Sequence, residues 1–214
     1  MNFTRDLSFG SWGSDVRELQ LILNQLGYAS MMGTGFFGNK TLESVIRFQI
    51  SNNITPAHGY VGPKTRFSLS SKVASSNRER LWNTAYASLG IDVTPSDIVP
   101  DEVGCAETVN QIYYNAFKRY IGGGASTYNM YKCLLVSNEF IKVDTPLYGD
   151  IIISPTGYGN GNLSNGHVGI VSKDNKIMSN SSATGLFQEN YTIDSWKKRY
   201  VDKGGYPCVF FRKV

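Results

Sequence analysis

The chain has 214 residues, 41% hydrophobic and 18% charged, with a formal charge of +4 and a pI near 8.9. This is enough for one large domain or two small ones, in a composition ordinary for a folded protein. Lys and Arg are dispersed, with no basic tail or stripe, which argues against a nucleic-acid-binding protein, while the mild positive field would suit an anionic polymer.

The start, Met1 to Ser8, has no apolar run and no small-residue cleavage site, so no ordinary secretory signal is expected. No later stretch is long enough to span a bilayer. Three cysteines (Cys105, Cys133 and Cys208) make an odd count without Cys-x-x-Cys spacing, unlike a disulfide scaffold. Cys133 in a helical pattern and Cys208 in an apolar strand pattern read as small core residues, and a Cys133–Cys208 bridge depends on geometry. Two histidines and three cysteines far apart offer no ligand spacing, so no metal is expected.

From about residue 9 to 72 the pattern is helical. Asp15 to Leu26 sets Val16, Leu19, Leu23 and Leu26 at helical spacing, with Ser14 or Asp15 as N-cap and Gly27 as stop. Lys40 to Asn52 repeats this with Leu42, Val45, Ile46 and Ile50, capped by Thr41 or Asn39. A short third helix begins near Pro63, a residue suited to a first helical turn. Gly35-Phe-Phe-Gly-Asn-Lys-Thr41 and Gly59-Tyr-Val-Gly-Pro-Lys-Thr65 echo each other as Gly-aromatic-x-Gly-x-Lys-Thr before a helix. Neither has the spacing or the preceding strand of a phosphate loop, which rules out nucleotide binding there. His58, in the loop before Gly59, reads as exposed and idle.

This stretch resembles the three-helix peptidoglycan-binding module of bacterial and phage wall enzymes. The resemblance rests on Gly13-x-Asp15-Val16-x-x-Leu19-Gln20, Leu26-Gly27-Tyr28, Gly35-x-Phe37-Gly38-x-x-Thr41, Phe48-Gln49 and Gly59-x-Val61-Gly62-x-x-Thr65. It implies that the module anchors a catalytic neighbour to wall polymer. The serine-rich run Ser68 to Asn77 reads as a linker. The expected organisation is a binding domain over 1–72, a link over 73–77 and a second domain over 78–214.

In the second domain, Arg78 to Leu89 is a helical pattern closed by Gly90. A second helix runs from Cys105 to about Tyr120, and a third from Ser126 to Glu139 after Gly122-Gly-Gly124. Strand-like segments follow at Tyr148–Ser154, His167–Ser172, Lys176–Ser181, Gly185–Glu189 and Tyr206–Arg212. Helices followed by an antiparallel sheet make an α+β domain. Cys105 opens a helix, where the partial positive charge of the N-terminus favours thiolate. His167 opens a strand, and an imidazole there could take the proton and return it to a leaving amine. Asp150 reads as a turn residue bonded to backbone, Glu102 and Glu107 have no assigned role, and the polar loop Tyr158 to Asn165 is either a substrate loop or a plain connection.

Gly104-Cys105-Ala, Gly149-Asp150-Ile-Ile-Ile and Gly166-His167-Val-Gly-Ile-Val, in this order, resemble the papain-like wall hydrolases of the NlpC and CHAP type over about residues 80 to 214. The resemblance implies Cys105 as nucleophile, His167 as base and then acid, and a polar residue on the next strand as orienter of the imidazole. Asn180 matches that position first and Ser179, pointing to the opposite face, second. The oxyanion hole needs the Cys105 backbone N–H and one further donor.

Together the two resemblances imply a two-domain protein, a three-helix bundle followed by an α+β papain-like domain. The implied activity is hydrolysis of a stem-peptide or cross-bridge amide of bacterial peptidoglycan, without cofactor, nucleic acid or membrane insertion, and as a monomer. Size, plan and the missing signal look like a phage endolysin held in the host cytoplasm until released. The alternatives are a catalytically dead wall-binding structural protein, such as a phage tail component, and an injected amidase toxin.

Overall fold

A computed structural model of the chain describes residues 5–94, 104–157 and 166–214. It forms two compact units, one ending at Ser76 and one running from Asn77 to Lys213, each with its own core.

The first unit is helical, built from α1 (Ser14–Gln25), α2 (Asn39–Ser51) and the first part of α3 (Pro63–Ala87). Apolar residues three and four apart turn one stripe of each helix inward. Val16, Leu19 and Leu23 of α1 meet Val45 and Phe48 of α2 and Leu69 and Val73 of α3, with Leu7, Phe37 and Val61 closing the core. The caps differ from expectation. Gly13 and Gly38 occupy the N-cap positions without a side-chain cap bond. Asp15 instead pairs with Arg5 and accepts from the Val16 N–H at 2.8 Å, and Thr41 is buried under α1.

The serine-rich linker is corrected by the structure: residues 73–77 lie inside α3, which continues into the pattern read as a separate helix from Arg78. No Gly or Pro interrupts Lys64 to Ala87, and Ser70 and Ser71 donate back to the carbonyls of Arg66 and Phe67. A buried residue recurs every four positions at Leu69, Val73, Asn77, Leu81 and Ala85. The first two apolar members belong to the first core and the last two to the second. That stripe outweighs the modest helix propensity of serine.

The second unit is mixed α and β. Helices α4 (Cys105–Phe117) and α5 (Thr127–Val136) precede a six-stranded antiparallel sheet of β1 (Phe140–Val143), β2 (Ile151–Ser154), β3 (His167–Val171), β4 (Lys176–Asn180), β5 (Phe187–Thr192) and β6 (Val209–Lys213). The strand order is β1-β6-β2-β3-β4-β5. Strand β1, the short helix α6 (Ile193–Trp196) and the π-helical segment Lys197–Lys203 have no counterpart in the sequence reading.

Alternation along the strands splits the sheet into two faces. Ile151, Ile153, Val168, Ile170 and Met178 pack under Val109 and Ile112 of α4 and Met130 and Leu134 of α5. Ile152, Val171, Ile177 and Phe210 pack against Trp196, Tyr200 and Tyr206. Among the described residues, no helix is long and apolar enough to cross a membrane.

Candidate active site around Cys105 and His167

Cys105 is the first residue of α4, behind Gly104 at the N-cap, and is only 7% exposed. It sits in the helix-covered core with Ala106, Val109 and Val168. The backbone N–H groups of Val168, Ala106 and Cys105 itself act on the sulfur and pull its pKa down, but burial is the larger influence and pushes the thiol up to about 11. Burial thus opposes the thiolate that the helix N-terminus favours. A helix N-terminus contributes about 1 kcal/mol toward an anion, whereas removing an anion from water costs several.

His167 opens β3 opposite Ser154, so its ring lies on the aromatic face. The ring stacks against Trp196 at 5.2 Å and Tyr200 at 5.4 Å, and meets Tyr191 edge-on at 5.9 Å. The Trp196 Nε1–H is anchored on Ser154 Oγ at 3.0 Å. His167 Nε2 lies 3.0 Å from Ser179 Oγ, and Ser179 donates its hydroxyl to Asn190 Oδ1 at 2.6 Å. With that proton committed, Ser179 Oγ accepts from Nε2–H, which assigns the tautomer and makes Nδ1 the basic nitrogen. Burial first, and then the charge of Arg199, lower the imidazole to about 3. The ring is neutral at pH 7.

The two candidate orienters separate as a strand requires. Gly169 pairs with Ser179, which turns the Ser179 hydroxyl toward the imidazole and Asn180 to the other face. A Cβ added at Gly104 would come within 3.5 Å of Asn180 Nδ2. Asn180 thus stands beside the start of α4, and Ser179, ranked second from sequence, is the residue against the ring. Asn190 had no motif to mark it. It is the extra residue of a β-bulge opposite Ile177 and Met178, a device that re-aims a side chain.

The thiol and the imidazole flank one stretch of main chain. Val168, whose N–H acts on the sulfur, directly follows His167. Among the described residues, no hydrogen bond joins the thiol to the ring.

Asp150 is fully buried and accepts from the Leu147 N–H at 2.8 Å and from Arg212 Nε and Nη2 at 3.0 and 2.7 Å, a fold-holding role. All three cysteines are free, so the Cys133–Cys208 bridge is not formed. No group of three His, Cys, Asp or Glu able to hold a metal occurs among the described residues. Glu102 and the loop from Tyr158 to Asn165 lie outside the described residues.

Residues 13–69 match the family described as "Putative peptidoglycan binding domain". The match supports a peptidoglycan-binding module in the first unit and peptidoglycan as a partner. No curated protein matches the chain. Among solved structures, it is similar to the type VI native effector-immunity complex Tae3-Tai3 from Ralstonia pickettii. That similarity has 18% identity and a TM-score of 0.42, over 64% of this chain and 99% of the other.

Proposed function

We propose that the chain is a peptidoglycan hydrolase of endolysin type, which holds wall polymer through its first unit and cleaves a wall amide with Cys105. The observation that carries this is the thiol at the first residue of α4, in one core with Val168, the residue that follows His167. A peptidoglycan-binding module ahead of it in the same chain supplies the substrate class.

In the proposed reaction, substrate binding first brings the Cys105 thiol and His167 Nδ1 within proton-transfer reach, and the ring then takes the thiol proton as the sulfur attacks the amide carbonyl. The Cys105 backbone N–H meets the oxyanion, and Asn180 Nδ2, on the thiol's side of the sheet, is assigned as the further donor. Collapse of the tetrahedral adduct breaks the C–N bond, and the leaving amine takes the proton from the imidazolium. Water, deprotonated by His167, then hydrolyses the thioester to a carboxylic acid and restores the thiol. Ser179 and Asn190 act as positioning residues that fix the ring and its tautomer.

A neutral thiol and a neutral imidazole with no bond between them among the described residues favour a second reading, a non-catalytic wall-binding protein. Turbidity loss of purified cell walls separates the two. Clearing by wild type and not by Cys105→Ala is expected. Equal clearing by both removes the cysteine mechanism, and no clearing by wild type on any wall type favours the second reading.

A further inference from the structure

The two Gly-aromatic-x-Gly-x-Lys-Thr turns of the first unit are built alike, down to single hydrogen bonds. In the first, Gln20 Nε2 donates to the Phe36 carbonyl and to Thr41 Oγ1, both at 2.9 Å, while Gly35 N–H donates to Gln20 Oε1 at 3.0 Å. In the second, Gln49 Nε2 donates to the Tyr60 carbonyl at 2.7 Å and to Thr65 Oγ1 at 3.0 Å, while Gly59 N–H donates to Gln49 Oε1 at 2.9 Å. Both glutamines are buried, so each turn rests on a satisfied amide that fixes its backbone.

A cavity lies over each turn, about 570 Å³ at the first and about 400 Å³ at the second. Each is lined by the glutamine, aromatic, second glycine, lysine and threonine of its own turn, and by no carboxylate. Lys40 and Lys64 are exposed and make no ion pair among the described residues.

The aromatic rings are held in place beside these lysines. Phe36 packs on Trp12 at 4.7 Å. Tyr60 donates its hydroxyl to Asp6, whose charge is met by Arg66. Each cleft therefore offers an uncommitted cation, an immobilised ring and a polar floor. That combination suits a ligand that joins a carboxylate to a sugar or aliphatic face. Two copies in one module suit a polymer that repeats the same unit.

We propose that the first unit carries two quasi-equivalent sites, each taking one carboxylate-bearing muropeptide unit, with Lys40 and Lys64 as charge partners and Phe36 and Tyr60 as stacking rings. This rests on the wall-binding part of the proposed function and deepens it.

The test uses the full chain carrying Cys105→Ala, so that no ligand is consumed. Amide resonances are followed by NMR against a soluble disaccharide-peptide and against neutral chitotetraose, and sedimentation with purified sacculi reports wall binding. Disaccharide-peptide is expected to shift both Gly35–Thr41 and Gly59–Thr65, and chitotetraose neither. Lys64→Ala should silence the second set and spare the first, Lys40→Ala the reverse. The double variant should bind sacculi at least roughly tenfold more weakly, two charge-assisted contacts being lost. Shifts confined to one turn, equal response to chitotetraose, or undiminished binding by the double variant would overturn the paired sites while wall binding stands. Failure of the unsubstituted lysines' protein to sediment with sacculi would overturn the wall-binding reading and the paired sites with it.

Discussion

On the helix-covered face of the sheet, Cys105 is surrounded by aliphatic side chains and backbone N–H groups. On the opposite face, His167 stacks on Trp196 and Tyr200 and begins a hydrogen-bonded run through Ser179 to Asn190. Burial acts on both groups, but it disfavours the charged form of each, so the thiol rises to about 11 and the imidazole falls to about 3. Desolvation outweighs the helix N-terminus here, and among the described residues no ion pair joins the two groups. In the proposed mechanism, proton transfer waits for a substrate carbonyl. The polar run orients one ring nitrogen and leaves the other as base.

The largest expected effect that separates the faces comes from His167→Ala. Wall clearing should fall by roughly 10³-fold or more. The emptied space under Trp196 should cost about 2–4 kcal/mol in denaturant unfolding. His167→Gln keeps most of the volume, so loss of clearing in a stably folded His167→Gln protein assigns the effect to chemistry. Full clearing by that variant would make His167 structural only.

Next is reactivity. A thiol near 11 should react with iodoacetamide at pH 8 about 100-fold more slowly than one at the ordinary 9.0, because thiolate is the nucleophile. Peptide mapping after timed labelling checks this, and fast labelling of Cys105 in the folded protein would mean that the thiol is exposed or ionised.

Ser179→Ala leaves the ring's Nε2 unpaired and should cost about 1–3 kcal/mol and lower clearing by roughly tenfold or more, with a moved pH profile. Asn180→Ala should lower the rate without moving that profile. Matching profiles for the two variants would erase the distinction between the faces.

The most gradual effect, spread over several pH units, is on stability against pH. Above 6.5 the imidazole is neutral whether the chain is folded or not. As pH falls from 6.5 toward about 3, the unfolded chain takes up a proton that the buried ring refuses. Stability should therefore drop by up to about 1.4 kcal/mol per pH unit across that window. A flat dependence there would place the ring in contact with water.

Much of the first unit was legible because its signals are local. The glycine-aromatic turns and the spacing of Val16, Leu19 and Leu23 need no distant partner to be read. The continuity of α3 is written in the four-residue stripe from Leu69 to Ala85, while Ser70, Ser71 and Ser75 on the exposed side of the same helix give the run the composition of a linker. In the second unit, alternation shows that Ser179 and Asn180 face opposite ways. Only the register of Gly169 against Ser179 decides which one meets the ring. Asn190 and Trp196 stayed hidden for a related reason: a β-bulge and the segment after β5 bring them to His167, and neither leaves a spacing in the sequence.

The central claim, that Cys105 attacks a wall amide, is tested most directly by mass spectrometry of muropeptides released from purified peptidoglycan by wild type and Cys105→Ala. The expected result is a fragment set with one new amine and one new carboxyl end, formed by wild type alone while both proteins bind the wall equally. The same fragments from Cys105→Ala at a comparable rate would contradict it.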